Sequence, residues 1–152
     1  MTFDAIDTKL IKLLQEDSKQ TNKELSNKLN LSVTAVYERI KKLENNGVIN
    51  KYVTLINKEV VQKSFVAFCN IKLVKHSQDY VFKFEKDVTS LEEVLECYHI
   101  SGDYDYLLKV LVKDMKAFRN FMVNKLTKLD HIGSTHSTFM INEVKHTTVI
   151  TV

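Results

Sequence analysis

Apolar residues recur at helical spacing up to about residue 55, and two-residue alternation follows, interrupted by two further helical stretches. Ile6, Leu10, Leu13 and Leu14 form a first apolar face behind a cap at Asp4 or Asp7, and the stripe stops at Glu16-Asp17-Ser18. Thr21, followed three residues later by Glu24, is a capping box. It opens a second helix with Leu25 and Leu29 on its buried side. Asn30 and Leu31 make the turn, and Ser32 caps a third helix over 32–44 with Val36, Ile40 and Leu43 inward. Gly47 ends it as a left-handed C-cap. Residues 48–55 read as extended, and 57–63, without a clear period, read as a hinge.

Beyond the hinge, 65–74 reads as a strand with Ala67, Cys69, Ile71 and Leu73 on one face. A helix over 77–88 is anchored by Val81, Phe84 and Val88. Residues 93–100 alternate, 101–105 turn, and 106–112 form a strongly apolar strand. Asp114 caps a long helix carrying Met115, Phe118, Met122, Leu126 and Leu129, and 135–141 is a fourth strand. The tail, 144–152, alternates again and is a candidate further strand. The order β-α-β-β-α-β is the ferredoxin-like split arrangement. The expected fold is therefore α+β: a helix-turn-helix domain at 1–50, an extended hinge at 51–63 and a ferredoxin-like domain at 64–152. Val66 and Phe68 put apolar groups on the second sheet face as well, which predicts that helices cover one face and another subunit the other.

Composition narrows the class. The chain has 152 residues, with apolar and charged fractions of an ordinary folded protein. No run of about 18 apolar residues spans a membrane, and the N-terminus lacks a basic stretch followed by an apolar core, so the chain is expected in the cytoplasm. Cys69 and Cys97 lack CxxC spacing and are expected to be reduced, buried thiols. His76, His99, His131, His136 and His146 show no HxH or HxxxH pair, so no metal site is expected. No catalytic triad or Cys-His grouping is present in the pattern, so no catalytic residue and no cofactor is expected. A net charge of +3 permits nucleic-acid binding without arguing for it.

The three helices carry the chemistry. A tight turn between two short helices is the helix-turn-helix, whose second helix enters the major groove. On the third helix the outward residues are Val33, Thr34, Ala35, Tyr37, Glu38, Lys41 and Lys42. Thr34 and Ala35 are small enough for close approach to thymine methyls, and Tyr37 and Glu38 reach toward base edges. Arg39, Lys41 and Lys42, with Ser32 at the helix start and Lys23 and Lys28 on the preceding helix, suit phosphates. The plain alternatives are that Arg39 is an internal ion-pair partner and that Lys41 and Lys42 form a solvated face. The extended segment after Gly47 is placed as in winged variants.

Three stretches then resemble one family in the right order: LSVTAVYERIKKLENNGVINKY, ECYHISGDYDYLLKV and NEVKHTTVI. All three are similar to the landmarks of the Lrp/AsnC (feast/famine) prokaryotic regulators, across essentially the whole chain. Two departures stand out: Val33 where the family often has proline, and His131 where it commonly has glycine. The resemblance implies a DNA-binding regulator, dimeric through the sheet and hinge and assembled into tetramers or octamers. It also implies an amino-acid effector bound between dimers.

From its residues alone, the turn Ser101-Gly102-Asp103-Tyr104-Asp105 reads first as a hairpin loop. A glycine there also admits a ligand close to the backbone, and Asp105 suits an ammonium. By the resemblance, Gly102, Asp103, Tyr104 and Asp105 form one effector loop and Gly133, Ser134, Thr135 and Ser137 a second. Met115 matches a nearby position, although helix core is the commoner role for it. The expected function is an amino-acid-responsive regulator that binds double-stranded DNA. The alternative is a sirohaem-type tetrapyrrole decarboxylase sharing the fold.

Overall fold

The computed structural model describes residues 2–152. They form two compact units, one taking the chain up to Leu55 together with Val144–Val152, the other Ile56–Glu143.

The first unit is built on α1 (Ala5–Glu16), α2 (Asn22–Leu29) and α3 (Val33–Asn45). The capping chemistry is as the sequence predicts. Asp4 caps α1 reciprocally with Asp7, Thr21 caps α2 reciprocally with Glu24, and the Ser32 hydroxyl accepts from the Ala35 amide at 3.1 Å. Gly47 follows α3 at φ 69°, where its lack of a Cβ lets the chain reverse while the Val48 amide donates to the Leu43 carbonyl. Leu10, Leu25, Val36 and Leu43 are sealed in one small core, with Ile11, Leu14 and Leu29 beside them. Residues 50–57 carry no regular secondary structure and join no ladder.

The second unit is a four-stranded antiparallel sheet in the order β2-β3-β1-β4, with β1 Phe65–Leu73, β2 Val94–His99, β3 Tyr106–Val112 and β4 Ile132–Phe139. Between them run α4 (Gln78–Thr89) and α5 (Met115–Asn124), the latter followed by a 3-10 turn at Leu126–Lys128. Ala67, Cys69, Ile71 and Leu73 on β1 pack with Tyr106, Leu108, Val110 and Val112 on β3 under Phe84, Val88, Phe118 and Phe121 of the helices. Each of these two strands thus buries alternate residues on the helix side, the period-2 pattern of a half-covered sheet.

Five expectations change. The hinge is not extended throughout, since residues 57–63 close into a turn in which Asn57 Oδ1 accepts from the Glu59 amide and the Lys63 amide donates to the Lys58 carbonyl. The long helix stops at Asn124 and tightens into the 3-10 turn, which drives Leu126 into the core. Cys97 is only half-buried, because β2 is a sheet edge. The fourth strand starts three residues early, at Ile132, because that residue pairs with Leu73 at the end of β1. The tail 144–152 adds no strand and belongs to the first unit. There the Gln15 side-chain amide serves as a strand edge, donating to the Ile150 carbonyl at 2.9 Å and accepting from its amide at 2.7 Å. Beside that clamp lies a groove of 530 Å³, its apolar wall formed by Ile11, Leu14, Leu55, Ile150 and Val152 and its rim by polar residues such as Asp17.

Candidate nucleic-acid interface and effector loops

Helix periodicity decides which side chains α3 presents. With Val36 and Leu43 buried, Val33, Thr34, Tyr37, Glu38, Lys41 and Lys42 emerge on the exposed side, and Ala35 is half-buried. Val33 is 46% and Tyr37 48% exposed, so both are open to contact from outside. Ser32, at the start of the helix, and Lys23, on α2, are exposed as well.

Arg39 turns the other way. Its guanidinium donates to Asp7 Oδ1 at 2.6 Å and to Asp4 Oδ2 at 2.8 Å. Asp7 is 4% exposed, so this is an ion pair inside the unit, tying the start of α1 to the middle of α3. The Asp7 amide, and then Arg39, hold the Asp4 carboxyl below its usual range, while the two carboxylates push the Arg39 guanidinium further up. Of the residues expected to meet DNA, Arg39 is the one whose side chain is committed to the protein's own interior.

Lys41 is exposed yet partnered. Its ammonium donates to Glu44 Oε2 at 2.7 Å and lies 5.9 Å from the centre of the Tyr37 ring. The Glu44 carboxylate raises the Lys41 ammonium above its usual value. Glu44 also accepts from the Tyr52 hydroxyl at 3.0 Å, so it joins the recognition face to the extended segment after Gly47. Neither Glu44 nor Tyr52 is among the residues the sequence pattern singles out. The i,i+3 spacing of Lys41 and Glu44 is a legible signal for the first pair; nothing local announces the second.

In the second unit the two expected effector loops both attach to the end of β1. Asp105 Oδ2 accepts from the Leu73 amide at 2.7 Å, and the Val74 amide donates to the His131 carbonyl at 2.9 Å. The first loop is tied again where the Asp105 amide donates to the Ile71 carbonyl at 2.8 Å. Burial would raise the Asp105 carboxyl, but the Leu73 amide and then His76 outweigh it and hold the carboxyl below its usual range. Gly102 sits at φ 124°, a conformation other residues rarely adopt, while Ser101, Gly102 and Asp103 are exposed.

The second set of residues is on a strand rather than a loop. Gly133, Ser134, Thr135 and Ser137 all lie on β4, where Thr135 pairs with Ile71 and Ser137 with Cys69. Ser134 falls opposite Lys72, next to a register shift between Lys72 and Leu73. Gly133 fits closely there, since a Cβ on it would stand 3.3 Å from the Lys72 carbonyl oxygen. The turn before β4 carries His131 at φ 72°, stacked on Tyr80 of α4 with ring centres 3.7 Å apart. Tyr104 of the first loop lies near His136 of β4, ring centres 6.2 Å apart, so the first loop and β4 come together. Met115, at the start of α5, is half exposed rather than core. No group of three metal-ligating side chains stands together among the described residues. Among them, too, no helix is long and apolar enough to cross a membrane.

Residues 66–150 match the Lrp/AsnC ligand binding domain family, and residues 3–50 match the winged helix-turn-helix DNA-binding family. The chain belongs to the Lrp/AsnC family. It is 39% identical over 145 residues to the leucine-responsive regulatory protein of Haemophilus influenzae, an alignment covering 95% of this chain and 87% of that one. Against the leucine-responsive regulatory protein of Escherichia coli K12 the identity is 37% over 143 residues, covering 94% and 87%. A transcriptional regulator from Neisseria meningitidis, solved in complex with L-Met, superposes with a TM-score of 0.94 at 34% identity over 98% of this chain and 96% of that one. An AsnC family transcriptional regulator from Agrobacterium tumefaciens superposes at 0.92 with 35% identity, over 97% and 96%. This Lrp/AsnC member is thus a DNA-binding transcriptional regulator, and these relatives do not favour the tetrapyrrole decarboxylase alternative.

Proposed function

We propose that this regulator binds operator DNA as a dimer, with α3 of each subunit in the major groove, and that a small apolar amino acid tunes its assembly. The single observation that carries the DNA half is the exposed face of α3. Small and apolar side chains at Val33, Thr34 and Ala35 are followed by Tyr37 and Glu38 and flanked by Lys41 and Lys42. In this reading Tyr37 and Glu38 choose bases, while Lys23, Ser32, Lys41 and Lys42 hold phosphates. Arg39 supports the helix from behind.

The dimer rests on the open sheet face. There Phe68, Leu107 and Leu111 are half-buried and Tyr98 is exposed, apolar side chains on the face that the helices leave open. A two-fold pair would set the two α3 helices on successive major grooves about 34 Å apart, or a multiple of that, and read a loose palindrome. Tetramers or octamers form from such dimers. The regions divide the labour as head (1–50, with the tail 144–152), connector (51–63) and assembly and sensing domain (64–143).

The effector site is drawn from Ser101, Gly102, Asp103, Tyr104 and Asp105 together with Gly133, Ser134, Thr135 and Ser137. Exposed backbone beside Gly102 receives the carboxylate, and Asp105 the ammonium. Leucine and methionine are the first candidates, because the relatives are named as leucine-responsive and a structural neighbour holds L-Met. The protein acts by binding, without catalysis, in the cytoplasm beside its DNA.

Two measurements test this. Selection of bound sequences from a random duplex pool is expected to return a palindrome with half-sites spaced by whole helical turns; a pool that stays random refutes sequence-specific binding. A thermal-shift screen of the amino acids is expected to show one apolar class raising the unfolding temperature. A flat screen refutes the effector.

A further inference from the structure

The carboxylate assigned above to the effector's ammonium is already engaged on both oxygens. Asp105 Oδ2 is held by the Leu73 amide at 2.7 Å, and Oδ1 lies 2.7 Å from His76 Nε2. The two partners differ in kind. The Leu73 amide belongs to β1 and cannot leave without breaking the sheet end. His76 lies in the segment between β1 and α4, outside both elements, and its side chain is 61% exposed, against 17% for Asp105. The imidazole is thus the outer, displaceable partner of an otherwise sheltered carboxylate.

From this arrangement we propose that His76 is a built-in competitor for the effector's ammonium, setting how much amino acid is needed before the protein responds. The inference rests on the reading of Asp105 as the ammonium partner. An imidazole N–H and an alkylammonium make the same charge-assisted hydrogen bond to a carboxylate oxygen. An incoming amino acid must displace His76 from Oδ1 or share that oxygen with it. Either way, part of its interaction energy is offset by breaking or stretching the hydrogen bond between His76 and Asp105. His76 is therefore a threshold-setting residue that acts through Asp105. It raises the concentration needed of every ligand that brings an ammonium, whatever its side chain.

The experiment is calorimetric titration of the full-length protein with L-leucine and L-methionine, alongside 4-methylpentanoate, which is leucine without its amino group. Substitution His76→Ala is expected to tighten binding of both amino acids by about five-fold, the scale of a solvent-exposed ion pair. His76→Lys, which places a permanent cation beside the carboxylate, is expected to weaken them. Binding of 4-methylpentanoate is expected to be the same in both variants. A structural role for His76 predicts the opposite, namely weaker binding of all three ligands after truncation. If His76→Ala leaves amino-acid affinity unchanged or lowers it, the competitor role is overturned. Asp105→Asn separates the two levels, since its side-chain oxygen still accepts from the Leu73 amide while the charge is gone. Loss of amino-acid binding in that variant upholds Asp105 as the ammonium partner. Undiminished binding removes Asp105 from the site, and the competitor role of His76 falls with it.

Discussion

Arg39 Nη1 lies 2.6 Å from Asp7 Oδ1, so the only arginine on α3 is held in an ion pair with the start of α1. The pair is asymmetric: the Asp7 side chain is 5% exposed and that of Arg39 27%. Removing the arginine strands a buried carboxylate. Arg39→Met is therefore expected to destabilise the DNA-binding unit by about 3 kcal/mol, the usual cost of breaking such a pair from one side. The double variant Arg39→Met with Asp7→Leu is expected to regain most of that. Urea unfolding followed by far-UV dichroism checks both. A neutral Arg39→Met variant whose only defect is a shallower salt dependence of DNA binding would return Arg39 to the phosphate-binding set.

The same cluster gives an acid dependence. Asp4 has its folded pKa below the ordinary 3.8, so its contribution to stability is complete above that value and is lost as pH falls through the lower folded one. Glu24, held down by the Thr21 amide and then the Thr21 hydroxyl, acts with the same sign just below its ordinary 4.5. Urea midpoints are expected to hold level from pH 7 to about 5 and to drop below about 4. Asp4→Asn is expected to lower the plateau and flatten that drop.

Lys41 pairs with Glu44 and, in the proposed complex, also meets a DNA phosphate. Lys41→Ala is expected to weaken all duplexes alike and to reduce the salt slope by about one unit. Glu44→Gln releases the ammonium from its 2.7 Å partner, so it is expected to tighten binding to every sequence without altering preference. Filter binding across a salt series distinguishes the two. An unchanged slope in Lys41→Ala would remove it from the interface.

Gln15 holds the tail by both groups of a single residue, Ile150. Gln15→Ala leaves those backbone groups without their partner. Hydrogen exchange at the Ile150 amide is expected to speed up by about ten-fold or more, and the last residues to become sensitive to carboxypeptidase. Exchange as slow as in the unsubstituted protein would mean that the groove alone retains the tail.

Gly102 adopts φ 124° with nothing within 4 Å of where a Cβ would stand. Gly102→Ala is therefore expected to cost stability through backbone strain alone, about 1–2 kcal/mol, with no steric component to be relieved by trimming a neighbour. Thermal unfolding of the variant measures it.

Local features were legible in the chain, because apolar spacing and capping residues are short-range signals. Asp4, Thr21, Ser32 and Gly47 announced the ends of the three head helices. Apolar residues on one face of 65–74 and the strongly apolar run 106–112 announced the paired strands at the centre of the sheet, and the motif runs announced the family. The remainder depended on partners far away in the sequence, which only folding brings together. That Arg39 has an internal ion-pair partner depends on Asp4 and Asp7, more than thirty residues before it. Whether Gly133, Ser134, Thr135 and Ser137 form a loop or a strand was settled by β1, whose end fixes where β4 can begin. The tail's alternation looked like another strand, but a sheet edge was not its only available partner: the amide of one glutamine on α1 offers Ile150 the same two hydrogen bonds.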